Sequence, residues 1–416
     1  MTLAKSISNK TPFYYGWIIL GASGTTLIVR NAAASLTLAV FMYPMAQELE
    51  WSRTVIAGAS SAGGIAAIFA SPFVGWAIDK YGARAVLTIS IVTLGLSTFI
   101  SGWATLPIMF YLSYGYGRII FSSPIQIGAS VVVSRWFIKQ RGRANGILSF
   151  CHSIGMTAFP LLASILINAY SWQMAWHIFG ILVLVLGLPT VYLLIKEAPE
   201  DILIRPDGVQ IEPTNSNSHI EHNWSLKKAV KTIALWQLAL SGGLFYVVHG
   251  GINTHMSAFM QDAGLSANQA AIAISINAIS TGIGGLAWGW ASENISTRNC
   301  YSILSIMMSL SAVLFNLTDN IFEAWFISAL FGISLGGMLV VPSVAIANYY
   351  GRKSLGTIKG FTEPFGSAGT AFGALLSGLI YDTTGSYEYA FLIMGLSSIL
   401  ALIITARISL PKPKSM

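Results

Sequence analysis

Two arginines, Arg30 and Arg118, lie within long apolar stretches. A charged side chain there costs at least a few kcal/mol, so it tends to face a cavity and to have a use. Arg30 falls about 15 residues from one end of its stretch and Arg118 about 10 from the opposite end of another. Along a helix axis these are roughly 22 and 15 Å, which puts both near mid-depth. Ser23, Thr26, Arg30 and Thr37 share one helical stripe, as do Tyr111, Tyr114, Arg118, Ser122 and Gln126. The N-terminal apolar stretches contain no acidic residue to neutralise either arginine, since Asp79 and Glu48 fall at opposite edges. Two guanidinium groups in low dielectric attract an anion, and a carboxylate matches the guanidinium fork. The bland alternatives are an Arg118 bonded to backbone carbonyls and an Arg30 snorkelling to the outer interface.

The second half offers softer groups. Tyr246, His249 and Asn253 share a stripe, and Asn277, Thr281, Gly284 and Trp288 share another. The expected ligands of an anion are therefore Arg30 and Arg118 for charge and Tyr114, His249 and Asn253 for orientation, with Gln126, Asn277 and Trp288 lining the site. His249 is either a satisfied structural histidine or a group that couples to protons near pH ~6–7. His152, His177 and His255 read as structural. Glu363 is the one acidic residue well inside a stretch, four residues after Lys359. The pair is either an ion pair closing an inner gate or a proton-accepting site.

The elements that hold these residues follow from composition. Of 416 residues, 54% are hydrophobic and 9% charged. A soluble chain carries about 25% charged residues, so this one cannot cover a water-facing surface. Two cysteines are too few for a disulfide framework or a Cys-rich metal site. Twelve apolar stretches are each long enough to cross a bilayer: 14–40, 54–78, 85–104, 108–134, 144–168, 174–195, 234–260, 268–291, 299–317, 323–347, 356–381 and 387–407. The first lacks a cleavage motif and reads as a retained helix. With the N-terminus inside, all 23 Lys and Arg except Arg53, Arg30 and Arg118 fall on the inner side. The net charge of +7 thus marks orientation, and no nucleic-acid partner is needed.

Residues 197–232 break the pattern with three prolines and the polar run 214–219, reading as a linker. Its end, Trp224 to Lys231, is basic and amphipathic and is expected on the inner membrane surface. The chain divides into 1–196, the linker 197–232 and 233–416. The two large parts match at an offset of 214: Gly75 with Gly289, Asp79 with Glu293, Arg84 with Arg298, Ser52 with Ser266 and Gly146 with Gly360. Duplicated six-helix halves suggest a rocking-bundle transporter with its site at the midplane.

The element Gly75-Trp-Ala-Ile-Asp79-Lys-Tyr-Gly82-Ala-Arg84, with the twelve spans and linker, resembles the major facilitator superfamily over the whole chain. More locally, Phe13-Tyr-Tyr-Gly-Trp17, Glu50-Trp-Ser-Arg-Thr54, the run from Arg135 to Gly146 and Arg205-Pro-Asp-Gly208 resemble its bacterial monocarboxylate-transporter-like and oxalate/formate-antiporter-like branch. The resemblance implies an all-α membrane fold of two six-helix bundles related by a pseudo-two-fold axis. It also implies Asp79 and Arg84 as inner-gate residues beside Glu363 and Lys359, and small carboxylates moved with protons or by exchange. One departure is that the eighth span has no Lys or Arg before Arg298. The expectation is a secondary transporter of a mono- or dicarboxylate, monomeric in an inner (plasma) membrane, with both termini cytoplasmic and no cofactor or metal. It is not an enzyme, and no nucleotide-binding loop occurs. The alternatives are efflux of a drug-like or amphiphilic compound and a non-transporting membrane sensor.

Overall fold

The computed structural model describes residues 12–208, 223–318 and 320–411. Among these residues there is no strand. Twelve long helices run in order: α1 (Gly16–Leu49), α2 (Arg53–Tyr81), α3 (Ala83–Ser101), α4 (Pro107–Trp136), α5 (Arg141–Ala169), α6 (Trp172–Leu194), α7 (Ile233–Asp262), α8 (Ala267–Asn294), α9 (Thr297–Phe315), α10 (Ile321–Tyr350), α11 (Leu355–Thr384) and α12 (Glu388–Thr405). Eleven of them are long and apolar enough to cross a membrane, and α11 carries Lys359, Glu363 and Asp382. Each expected span finds its helix. The largest difference is in the first, which continues to Leu49 because a second helical segment, Ser35–Leu49, follows a break.

The internal repeat has a physical basis in the helix ends. Ser52 and Ser266, matched at the offset of 214, are the N-caps of α2 and α8; their hydroxyls accept from the amides of Val55 and Gln269. The bounds of α3 and α4 recur in α9 and α10 at the same offset. Gly82, at φ +91°, makes the α2–α3 turn in a conformation that side chains rarely adopt.

Two compact units emerge from the packing, and they exchange helix ends relative to the sequence halves. One gathers Met1–Gln140, Cys151–Glu221 and Arg352–Phe361; the other gathers Arg141–Phe150, His222–Gly351 and Thr362–Met416. In the first unit the start of α11 packs on α2, where a Cβ on Gly75 would stand 2.3 Å from the Gly356 carbonyl oxygen. In the second the start of α5 packs on α8, where a Cβ on Gly142 would stand 2.1 Å from the Gly289 carbonyl oxygen. Backbone meets backbone in both, which only glycine permits.

The local motifs of the N-terminal half converge at one end of α4. The Asp207 carboxylate accepts from the amides of Ile138, Lys139 and Gln140, pinning the α4–α5 turn. The Tyr14 hydroxyl donates to the Trp136 carbonyl, and Trp17 stacks edge-on against Phe137 at 5.1 Å. The end of the linker differs from expectation. It forms a single helical turn, Leu226–Ala229, and Trp224 is buried against the end of α10 through the Tyr350 carbonyl and ring. The Trp224 backbone amide, not its indole, donates to the Tyr350 carbonyl, and the indole buries its apolar area edge-on against the Tyr350 ring. The polar run 214–219 lies outside the described residues.

Candidate functional site

Two helices are interrupted at the same place in the first unit. In α1 the α-helix stops at Val29, residues Arg30–Ala33 form a 3-10 turn, and Ala34 is extended. Carbonyls released by such a break need donors inside a membrane. The Thr37 hydroxyl donates to the Asn31 carbonyl at 2.7 Å, and the Tyr114 hydroxyl from α4 reaches those of Ala33 and Ala34 at 3.1 and 3.3 Å.

In α4 a π-helical segment, Tyr111–Gly115, is followed by a second break at Ser123, ahead of Pro124. Proline contributes no N–H, so the preceding turn loses a donor. Arg30 supplies one nearby: its Nη1 donates to the Phe121 carbonyl at 2.9 Å.

The two arginines meet around Phe121. The guanidinium carbons of Arg30 and Arg118 lie 4.5 and 4.4 Å from the centroid of its ring. They are therefore within about 9 Å of each other, where like charges still repel in a medium of low dielectric. Arg30 is buried, and its Nη2 lies 3.2 Å from His152 Nδ1 on α5. Arg118 is the less satisfied of the two. Its Nε and Nη1 are buried and find no hydrogen-bond partner among the described residues. Gly63 on α2 lets this part of α4 approach, since a Cβ there would stand 2.3 Å from the Gly115 carbonyl oxygen.

The expected stripe on α4 does not hold together. The π segment shifts the register, so Tyr111 turns its hydroxyl to Gly58 on α2 and Tyr114 faces α1. Tyr114 is 2% exposed, stacked on Phe110 and edge-on to Trp176, with its hydroxyl spent on backbone. Asn277 and Trp288 likewise have other partners than a ligand: Asn277 Nδ2 donates to the Ser328 carbonyl at 3.4 Å and Trp288 Nε1 to that of Ile333 at 3.1 Å, both on α10. Gln126 is half-buried beyond the Pro124 break. In the second unit His249 Nδ1 is buried without a hydrogen-bond partner among the described residues, edge-on to Tyr246, and Asn253 follows one turn later, half-buried.

Tyr114→Phe follows directly. It is expected to lower stability by about 1 kcal/mol, the net worth of one such bond, and to change transport less than about threefold. A loss of transport tenfold or greater at unchanged stability would put the hydroxyl on the substrate instead.

The residues expected at the inner gate separate into different networks. Asp79 accepts from the amides of Gly356 and Thr357 at 3.0 and 2.6 Å and from the Thr357 hydroxyl at 2.7 Å, at the N-terminus of α11. Its ion-pair partner is Arg135, at 2.8 Å, and not Arg84. Arg135 also pairs with Glu197 at 3.2 Å, while Glu197 accepts from the amides of Ala83 and Arg84 at the start of α3. The Arg84 side chain instead donates to the Tyr192 carbonyl and lies over that ring, at the end of α6. The second unit repeats the device: Glu293 accepts from the Arg143 amide at 2.7 Å and pairs with the Arg143 side chain at 2.9 Å, at the N-terminus of α5. Lys359 is buried and donates to Ser130 on α4, and Glu363 is half-buried one turn later.

Sequence reasoning missed Arg135 and Glu197 as gate partners and Phe121 and His152 beside the arginines. Arg135 had a visible signal in its basic motif. Phe121 and His152 had none, because an aromatic or a histidine in an apolar helix is ordinary.

The Major Facilitator Superfamily profile matches residues 23–265 and 238–416. A probable hexose phosphate transport protein of Chlamydia pneumoniae is 24% identical over 349 residues, spanning 78% of this chain and 76% of its own. Monocarboxylate transporter 13 of Rattus norvegicus is 24% identical over 388 residues, spanning 92% of this chain and 86% of its own. Among solved structures, the human organic anion transporter MFSD10 (TETRAN) superposes with a TM-score of 0.72 at 14% identity, covering 94% of this chain and 99% of that one.

Proposed function

This chain belongs to the Major Facilitator Superfamily, and from that membership we propose that it carries a small organic anion, a mono- or dicarboxylate, by alternating access. It is an integral membrane transporter and not an enzyme. The observation that carries the anion reading is Arg118, whose buried Nε and Nη1 have no partner among the described residues, with Arg30 close by around the Phe121 ring. A bound carboxylate would accept charge-assisted hydrogen bonds from these unmet donors. Two relatives are named for anions, a hexose phosphate and a monocarboxylate, which supports the sign of the charge. Asp79 and Glu293, each capping a helix from the other sequence half, are the natural releasable latches of the alternation. His249, whose Nδ1 is buried without a hydrogen-bond partner among the described residues, stays a candidate ligand in the second unit, with Asn253 one turn later.

Counterflow in liposomes tests this, with lactate, succinate, D-glucarate, a hexose phosphate, an uncharged sugar and an organic cation as the panel. Exchange of at least one carboxylate is expected. Exchange of only the phosphate would keep the anion and lose the carboxylate, and exchange of only the sugar or the cation would overturn the reading.

A further inference from the structure

We propose that the helical turn ahead of α7 is a binding site for an anionic phospholipid. Its lysines take the headgroup phosphate, and the acyl chains run along the exposed flanks of α7 and α12. Lys227, Lys228 and Lys231 lie on and just after the turn Leu226–Ala229, shortly before α7 begins at Ile233. All three side chains are exposed, and none has an ion pair or hydrogen bond among the described residues. Residues 223–261 contain no Asp or Glu. Like charges this close on one helical turn repel. The lysines also stand at the N-terminal end of a helix of 30 residues, where its dipole disfavours cations. An anion relieves both effects at once.

The turn is held in place with its lysines outward. The Trp224 amide donates to the Tyr350 carbonyl at 3.0 Å, and the Thr232 hydroxyl lies 2.7 Å from the Tyr350 hydroxyl. One residue at the end of α10 therefore fastens both ends of the segment. Ala229 between them is buried. Trp236 Nε1 donates to the Val230 carbonyl at 2.9 Å and ties the turn to α7. A segment fixed in advance loses little freedom when an anion binds.

The surface next to the lysines selects a lipid over a free anion. Ile233, Trp236 and Leu240 follow at helical spacing and are 77%, 40% and 45% exposed. Leu400 and Ile403 are exposed at the same spacing on α12, followed by Arg407 just beyond its end. Arg407 is exposed and likewise has no side-chain partner among the described residues. Gln237 Nε2 donates to the Ile404 carbonyl at 2.8 Å, so the two helix ends adjoin. From that bond, three residues back along α7 and three onward along α12 are each about 4.5 Å, which brings Arg407 level with the start of α7. Each helix thus has an exposed apolar flank headed by cations, with Trp236 at the boundary. Tryptophan is enriched at the level of lipid headgroups. A phosphate on the lysines has its acyl chains against these flanks, whereas a free phosphate uses the lysines alone.

The test titrates delipidated full-length protein in detergent with phosphatidylglycerol or phosphatidylcholine and counts bound lipid by native mass spectrometry. The wild type is expected to bind its first phosphatidylglycerol at least about fivefold more tightly than phosphatidylcholine, the worth of one lysine near a charged headgroup. Added salt is expected to narrow that preference. The triple variant Lys227→Gln, Lys228→Gln, Lys231→Gln is expected to bind the two lipids equally, with its affinity for phosphatidylcholine unchanged. Arg407→Gln is expected to weaken phosphatidylglycerol by a smaller factor. Equal binding of the two lipids by the wild type would overturn the proposal, as would a triple variant that keeps the preference. Displacement of phosphatidylglycerol by equimolar inorganic phosphate would overturn it in favour of a free anion. The wild-type comparison needs no variant, so misfolding of the triple variant does not obscure the outcome. None of these results depends on which solute the protein carries, so the anion reading stands or falls separately.

Discussion

Arg118→Gln is expected to raise the half-saturating concentration of a transported carboxylate by about 10- to 100-fold, the worth of one or two charge-assisted hydrogen bonds. The same variant is expected to be as stable as the wild type or more so. Arg118 stands with two buried nitrogens unpartnered and a second guanidinium nearby. A neutral side chain there relieves both the desolvation and the repulsion. Loss of transport together with a gain in thermal stability is therefore the signature of a ligand-binding role. A structural arginine would show the reverse, with lower stability and transport lost only in proportion to unfolded protein. Arg118→Lys keeps the charge and loses the planar fork, so its effect falls between. Normal counterflow by Arg118→Gln would remove the residue from the site. Arg30→Gln is expected to lose transport as well, but with reduced stability, because Arg30 also holds the Phe121 carbonyl across the broken helices.

Asp79→Asn is expected to release the first turn of α11. The carboxylate satisfies the Gly356 and Thr357 amides, which have no acceptor within their own helix, and pairs with Arg135. Breaking a buried pair costs up to about 3–5 kcal/mol. Glu197 stays on Arg135 at 3.2 Å and offsets part of that. An effect of about 2 kcal/mol remains, or roughly 30-fold in the population of the latched state. Hydrogen exchange at Gly356 and Thr357 should accelerate by that factor, and Glu293→Gln should do the same at Arg143 on α5. Unchanged exchange at both places would show that the acidic residues are not what holds these turns. Transport is expected to slow at least about tenfold in Asp79→Asn, because a cycle that cannot populate one of its two closed states stalls there.

Much of the architecture was legible because it is written in local averages. Apolar stretches mark helices long enough to cross a bilayer, and these are the helices found. The match of Ser52 with Ser266 and of Asp79 with Glu293 carried more than similarity, since the first pair are N-caps and the second cap partner helices. The repeat did not reveal that each latch reaches into the other half of the sequence, because periodicity is blind to which helix end lies across from a loop. Arg84 shows the same blindness: its motif implied a gate, and its side chain went to the end of α6.

At the candidate site the division is sharper. The sequence by itself determined a membrane protein of twelve helices in two related halves, with two arginines inside its apolar stretches. Only the tertiary structure decided that α1 breaks at Arg30, that α4 slips register at Tyr111–Gly115, and that Tyr114, Asn277 and Trp288 spend their polar atoms on neighbouring backbone. It also brought Phe121 and His152, 91 and 122 residues from Arg30 along the chain, into its coordination. The physical reason is that burial adds up residue by residue and can be read along a chain. Hydrogen bonds and charges inside a membrane must be satisfied in pairs, and the partner is chosen by which helices touch.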